Sequence, residues 1–175
     1  MSHTRVHRTE PPSSPHAVDS AAFLLAQVGA HAAARFGERL GALDLSPPHA
    51  GILRFINRSG GISQQALATE LRILPSRLVV LIDQLEERGL VERRADPTDR
   101  RSYALYLTGK GRAAMKAIGR VARDHQEALL AALTGEERST LASLLARVAE
   151  HQGLRAGVHP GFARLRPEER ATKGT

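Results

Sequence analysis

At 175 residues the chain is long enough for one full hydrophobic core, or two small ones if a second copy shares them. Its 25 Lys and Arg against 18 Asp and Glu leave a net charge of +7, which favours polyanionic partners, either nucleic acid or an anionic membrane surface. Cysteine and tryptophan are absent and aromatics make up 3%, which excludes disulfides, thiolate catalysis, thiol redox sensing and the row of ring faces that a single-strand platform needs.

Met1 to Pro15 carries His and Pro where a signal peptide needs a continuous apolar run, so residues 1–18 are expected to form a flexible arm. No stretch approaches the roughly 20 apolar residues of a membrane span, and the cytoplasm is the default expectation. From Asp19 to about Leu43 the chain is Ala-rich and free of Pro, with Asp19 or Ser20 as cap. Leu25, Val28, Ala32, Phe36, Leu40 and Leu43 recur there at helical spacing. A break at Asp44-Leu45 leads to Ser46-Pro47, a cap with proline in the first turn, and a second helix carrying Ile52, Leu53, Phe55 and Ile56.

Asn57 to Gly61 stops that helix and Ser63 caps a short third one, Ser63-Gln64-Gln65-Ala66-Leu67-Ala68. The turn Arg72-Ile73-Leu74 leads to Pro75-Ser76-Arg77 and a fourth helix, buried through Leu78, Leu81, Ile82 and Leu85 and ended by Gly89. Asp83, Glu86 and Glu87 on that helix read as a solvated or interdomain face. Val91 to Arg94 and Tyr103 to Leu107 flank the loop Ala95 to Arg101, forming a hairpin with Tyr103, Leu105 and Leu107 on one face. Thr108 starts a long helix with Ile118, Val121, Ala122, His125, Leu129 and Leu133 in register. Thr134-Gly135-Glu136-Glu137 is a capping box opening a sixth helix with Leu141, Leu144, Leu145 and Val148 on one side.

These elements predict a mainly α fold with a small β-hairpin wing. A winged helix-turn-helix module over 46–107 is expected to stand on a helical dimerisation region, 19–45 and 108–152, followed by a basic tail, 153–175. The central module is too small to cover all three long helices, so a two-fold homodimer is the simplest way to bury their apolar stripes. A recognition helix beside an arginine-tipped hairpin is a two-point grip on double-stranded DNA, with the helix in the major groove and the wing in the minor groove.

The expected DNA contacts are Ser63, Gln64 and Gln65 at the start of helix three, Ser76 and Arg77 at the start of helix four, and Arg94, Arg100 and Arg101 on the wing. A helix N-terminus offers free N–H groups to phosphate, and a weakly hydrated guanidinium suits a narrow minor groove. Plain capping by Ser63, and a solvated hairpin tip balanced by Asp96 and Asp99, are the competing readings.

Over residues of about 20 to 152 the chain resembles the MarR family of winged-helix transcriptional regulators. The resemblance is carried by Leu45-Ser46-Pro47, by Leu85-Glu86-Glu87-Arg88-Gly89-Leu90-Val91, by Asp96-Pro97-Thr98-Asp99-Arg100-Arg101-Ser102 and by Leu107-Thr108-Gly109-Lys110-Gly111. It implies homodimers that repress or activate nearby genes and respond to small anionic or phenolic molecules. It also implies that Asp99 pairs with an arginine to stiffen the wing while Arg100 or Arg101 enters the minor groove. One departure stands out: Val79 and Val80 occupy positions where the family often has hydroxyl or basic groups, and valine can touch a thymine methyl but reads no donor pattern.

The resemblance further implies an effector pocket between helix one, helix two and the DNA-binding module. His31 and Arg35 share a face of helix one and His49 begins helix two, a set suited to a small carboxylate or phenolate. Structural roles for all three side chains are the alternative. No close His pair shares a helix face and Cys is absent, so no metal site is expected, and no cofactor. Gly109-Lys110-Gly111 lacks the rest of a P-loop and no Gly-x-Ser-x-Gly occurs, so no enzyme activity is expected. Two other functional readings stay open: an architectural protein that coats DNA without effector control, and a module whose tail, Arg155 to Lys173, binds another protein.

Overall fold

The computed structural model describes residues 20–95 and 103–154. The expected arm, the wing-tip residues Asp99, Arg100 and Arg101, and the basic tail beyond Leu154 lie outside them. Ser20 caps the first helix by accepting from the Phe23 N–H at 3.2 Å, and α1 runs Ala21–Gly41. Asp44 takes a positive φ of 53°, which makes the expected break before Ser46. Helix α2, Pro47–Ser59, begins with Ser46 and His49 in reciprocal capping and ends at Gly60, whose φ of 64° suits glycine.

Ile62–Ser63 then forms β1, a two-residue strand, before Ser63 caps α3, Gln64–Leu71. Arg72 ends α3 in the left-handed region (φ 51°, ψ 47°), turning the chain into α4, Pro75–Glu87. Strands β2, Val91–Ala95, and β3, Tyr103–Leu107, pair antiparallel from Val91 opposite Leu107 to Ala95 opposite Tyr103. Ile62 pairs with Leu105 and Ser63 with Ala104, so the sheet order is β1-β3-β2. Helices α5, Gly109–Leu129, and α6, Gly135–His151, complete the described chain, with Thr134 and Glu137 forming the expected capping box.

The core sits in the central module. Ile52, Leu53 and Ile56 of α2, Leu67 and Leu71 of α3, Leu78, Ile82 and Leu85 of α4, and Leu105 of β3 are each 2% exposed or less. Each such side chain stabilises the fold by roughly 1.5–3 kcal/mol relative to exposure. From α1 only Leu40 is buried, from α5 only Gly111 and Ile118, and from α6 nothing. The apolar stripes of α1 and α6 are therefore real as patterns, and among the described residues nothing covers the α6 stripe or the N-terminal half of the α1 stripe, while Phe36, Leu40 and Leu43 pack on the core. Phe23, Leu24, Leu25 and Val28 on α1, and Leu144, Leu145 and Val148 on α6, are all exposed.

Thr108 locks the end of α4 to the start of α5. Its hydroxyl accepts from the Gly111 N–H at 2.9 Å and donates to the Gly89 carbonyl at 2.6 Å. Gly111 is required there, because a Cβ would lie 2.0 Å from the Leu90 carbonyl oxygen. Lys110 donates to the Arg88 carbonyl at 2.8 Å across the same junction.

Candidate nucleic-acid interface

Helix α4 is anchored through its C-terminal half. Arg93 of β2 donates to the Asp83 carboxylate at 2.5 Å and also to Glu86, so one guanidinium fork clamps two turns of α4 to the sheet. Arg88 donates to the carbonyls of Leu43 and Asp44, tying the end of α4 to the linker between α1 and α2. His49 Nε2 lies 2.9 Å from Gln84 Oε1, joining α2 to α4. The acidic residues that read as a solvated or interdomain face are in part this clamp. Nothing in their local pattern shows it, since Arg93 reaches them only once the sheet has formed.

The N-terminal half of α4 is left presented. Leu78 is fully buried, whereas Ser76, Arg77, Val79 and Val80 are exposed around it. Pro75 stands in the first turn and Leu74 provides no side-chain cap, so the helix opens without a hydroxyl over its free N–H groups. On α3 the Ser63 hydroxyl accepts from the Ala66 N–H at 3.2 Å, which is the capping role; Gln65 is exposed and Gln64 half-buried beside it. Two helix N-termini, each with polar side chains in its first turn, are thus available to backbone phosphates.

Arg94 lies on β2 with its guanidinium 2.5 Å from Glu92 and 5.0 Å above the Tyr106 ring. That cation–π contact holds the side chain against the sheet without burying it.

The three residues expected at an effector pocket have different surroundings. His49 is half-buried and structurally committed: Nδ1 faces the Ser46 N–H at 3.3 Å and the Ser46 hydroxyl at 2.9 Å, while Nε2 meets Gln84. Burial is the main cause that holds its pKa below 6.5, with the Arg88 charge adding to it against the Gln84 hydrogen bond. Arg35 is exposed and paired with Glu38 at 2.7 Å. His31 is exposed on the same helix.

His125 of α5 joins this neighbourhood. Its ring stacks at a tilt on Phe36, centroids 5.4 Å apart. Burial first, then the nearby Arg39, Arg35 and His31, depress its pKa below 6.5. Arg39 and His125 are therefore members of the basic cluster that sequence reasoning missed. Only the docking of α5 on α1 brings together positions some ninety residues apart. Among the described residues no group of three or more His, Asp or Glu side chains is placed to hold a metal ion. No described helix is long and apolar enough to cross a membrane.

A helix-turn-helix whose second helix is clamped to a three-stranded wing sheet defines the winged-helix class of double-stranded DNA-binding modules. The family model described as MarR family matches residues 43–102. A protein named as a transcriptional regulator of the hcr operon in Thauera aromatica is 38% identical over 104 residues, 59% of this chain and 63% of that protein. An HTH-type transcriptional repressor of Mycobacterium tuberculosis is 30% identical over 126 residues, 72% of this chain and 91% of the repressor. Among solved structures, the transcriptional repressor CouR bound to a 23-mer DNA duplex superposes with a TM-score of 0.66 at 30% identity, covering 78% of this chain and 99% of CouR. The chain belongs to the MarR family of transcriptional regulators.

Proposed function

We propose that the protein is a homodimeric repressor that binds palindromic duplex sites and is released by a small anionic or phenolic ligand. The observation that carries the dimer is the exposed apolar surface of α1 and α6, whose Phe23, Leu24, Leu25, Leu144, Leu145 and Val148 are left exposed by the described residues. Residues 19–45 and 108–152 then form the dimerisation region and 46–107 the DNA-binding module. Repression is supported by the M. tuberculosis relative and by CouR, both named as repressors.

In this reading Ser63, Gln64 and Gln65 take phosphates, Ser76 and Arg77 enter the major groove, and Arg94 with Arg100 or Arg101 serves the minor groove, the wing stiffened by Asp99. His31 and Arg35, joined by Arg39 and His125, attract the ligand's negative charge. His49 transmits its presence, because the same imidazole touches α2 and the recognition helix. Ligand binding changes the spacing of the two recognition helices, which must match one turn of B-DNA, about 34–36 Å.

Titrating the protein onto its duplex site with and without an aromatic carboxylate such as benzoate tests this. A dimer on DNA by light scattering is expected, weakened by benzoate in the wild type and unaffected by it in Arg35→Ala. A monomer on DNA, or equal benzoate sensitivity in both proteins, overturns the dimer or the site respectively.

A further inference from the structure

The presented face of α4 carries an apolar pair with no structural task. Leu78, Ile82 and Leu85 fill the core at 0% exposure, while Val79 is 37% and Val80 54% exposed. At about 100° per residue, Val80 points almost directly away from that buried stripe, with Ser76 one turn before it and Val79 on its flank. β-branched residues lower helix propensity, so two exposed valines in adjacent positions cost α4 local stability without gaining packing.

Along the same outward face the chain turns acidic toward the C-terminus at exposed Glu87, while Asp83 before it is paired with Arg93. That end also carries the negative pole of the helix dipole. A polyanion is therefore admitted at the N-terminal half and repelled at the other, and the valines lie in the admitted half. What a major groove offers to an aliphatic side chain is the C5-methyl group of a pyrimidine.

We propose that Val79 and Val80 are specificity-determining residues that read C5-methyl groups in the major groove, thymine in ordinary DNA and 5-methylcytosine where cytosine is methylated. This rests on the DNA-binding reading above and adds the group that is read. The patch is two side chains wide and set among the polar side chains of a helix N-terminus. A methyl-sized target fits it, and a protein face of the extent left bare on α1 and α6 does not. An arginine or glutamine at position 80 would demand donors and acceptors from the base edge; a valine demands only a methyl group and the exclusion of water.

The test uses the full-length protein and its selected duplex site. Each thymine is replaced in turn by deoxyuridine, which removes the methyl group and leaves the hydrogen-bonding pattern intact. At one or two positions per half-site, wild-type affinity is expected to fall about fourfold per methyl removed. Val79→Ala/Val80→Ala is expected to bind the thymine and uracil duplexes equally, with its thermal unfolding no lower than wild type, because both side chains stand outside the core and alanine is the better helix former. A cytosine at the same position is expected to bind more tightly once methylated at C5. Site-specific binding by the wild type that is indifferent to uracil at every position overturns the methyl reading alone. Absence of any site-specific binding overturns the regulator reading and this inference with it.

Discussion

His49 shows how one side chain is committed twice. For Nδ1 to accept from the Ser46 N–H it must be unprotonated, which leaves the proton on Nε2 to donate to Gln84. His49 and His125 both have folded pKa values below 6.5. The unfolded chain therefore takes up protons first as pH falls, and the stability these two imidazoles contribute is present above pH 6.5 and lost as pH drops through their folded values. Thermal unfolding from pH 8 to 5 is expected to hold steady above neutrality and weaken below about pH 6.5. His49→Gln keeps a capping-box side chain at that position and is expected to flatten part of this fall; superimposable profiles would mean that His49 contributes none of it. Gly111 makes a second residue-scale case. A Cβ there meets backbone, 2.0 Å from the Leu90 oxygen and 3.0 Å from the Leu90 carbonyl carbon, with no flexible side chain to yield. Gly111→Ala is expected to cost roughly 3 kcal/mol or more despite its better helix propensity; a variant as stable as wild type in urea denaturation would contradict the close approach.

Among the elements, the recognition helix depends on a strand. Arg93 reaches Asp83 and Glu86 from β2, and its side chain is 27% exposed. Partial burial and two-pronged geometry place this contact above an ordinary surface pair, so Arg93→Ala is expected to lose about 1 kcal/mol, a fall of roughly 2–4 °C in Tm. DNA affinity is expected to fall further than stability, because α4 loses its fixed angle to the wing. Arg93→Lys is expected to recover little, since one ammonium does not span two carboxylates. Full recovery by lysine would show that only the charge matters.

The elements also show what was legible in sequence and what was not. Helix starts at Ser46, Ser63, Thr108 and Thr134 were readable because a cap is local chemistry, a hydroxyl two or three residues from the N–H it satisfies. Strand β1 was not readable, because two residues carry no periodicity and Ile62 is a strand only through its pairing with Leu105. Pairings such as Arg93 with Asp83, His49 with Gln84, and His125 with Phe36 depend on how elements dock. In the same way the α1 and α6 stripes announced amphipathic helices without saying what covers them.

For the whole molecule, the division between a packed module and uncovered helices carries the functional reading. Among the described residues the buried side chains lie between Leu40 and Ile118, and α6 contributes none. A charge placed on α6 is therefore expected to break association without unfolding the chain. Leu145→Glu should give a monomer by light scattering with wild-type helicity, and DNA affinity lower by about 100-fold or more, since a palindrome then binds one half-site at a time. A variant that stays dimeric would place the interface elsewhere. The most direct test of the central claim, that this is a site-specific regulator, is selection of genomic fragments by the purified protein at near-physiological salt, beside Arg77→Ala. Enrichment of a few fragments sharing a two-fold motif, weakened by the substitution, is the expected result. Uniform recovery of all fragments, fading only as salt rises, would contradict it and leave a phosphate-driven coating protein.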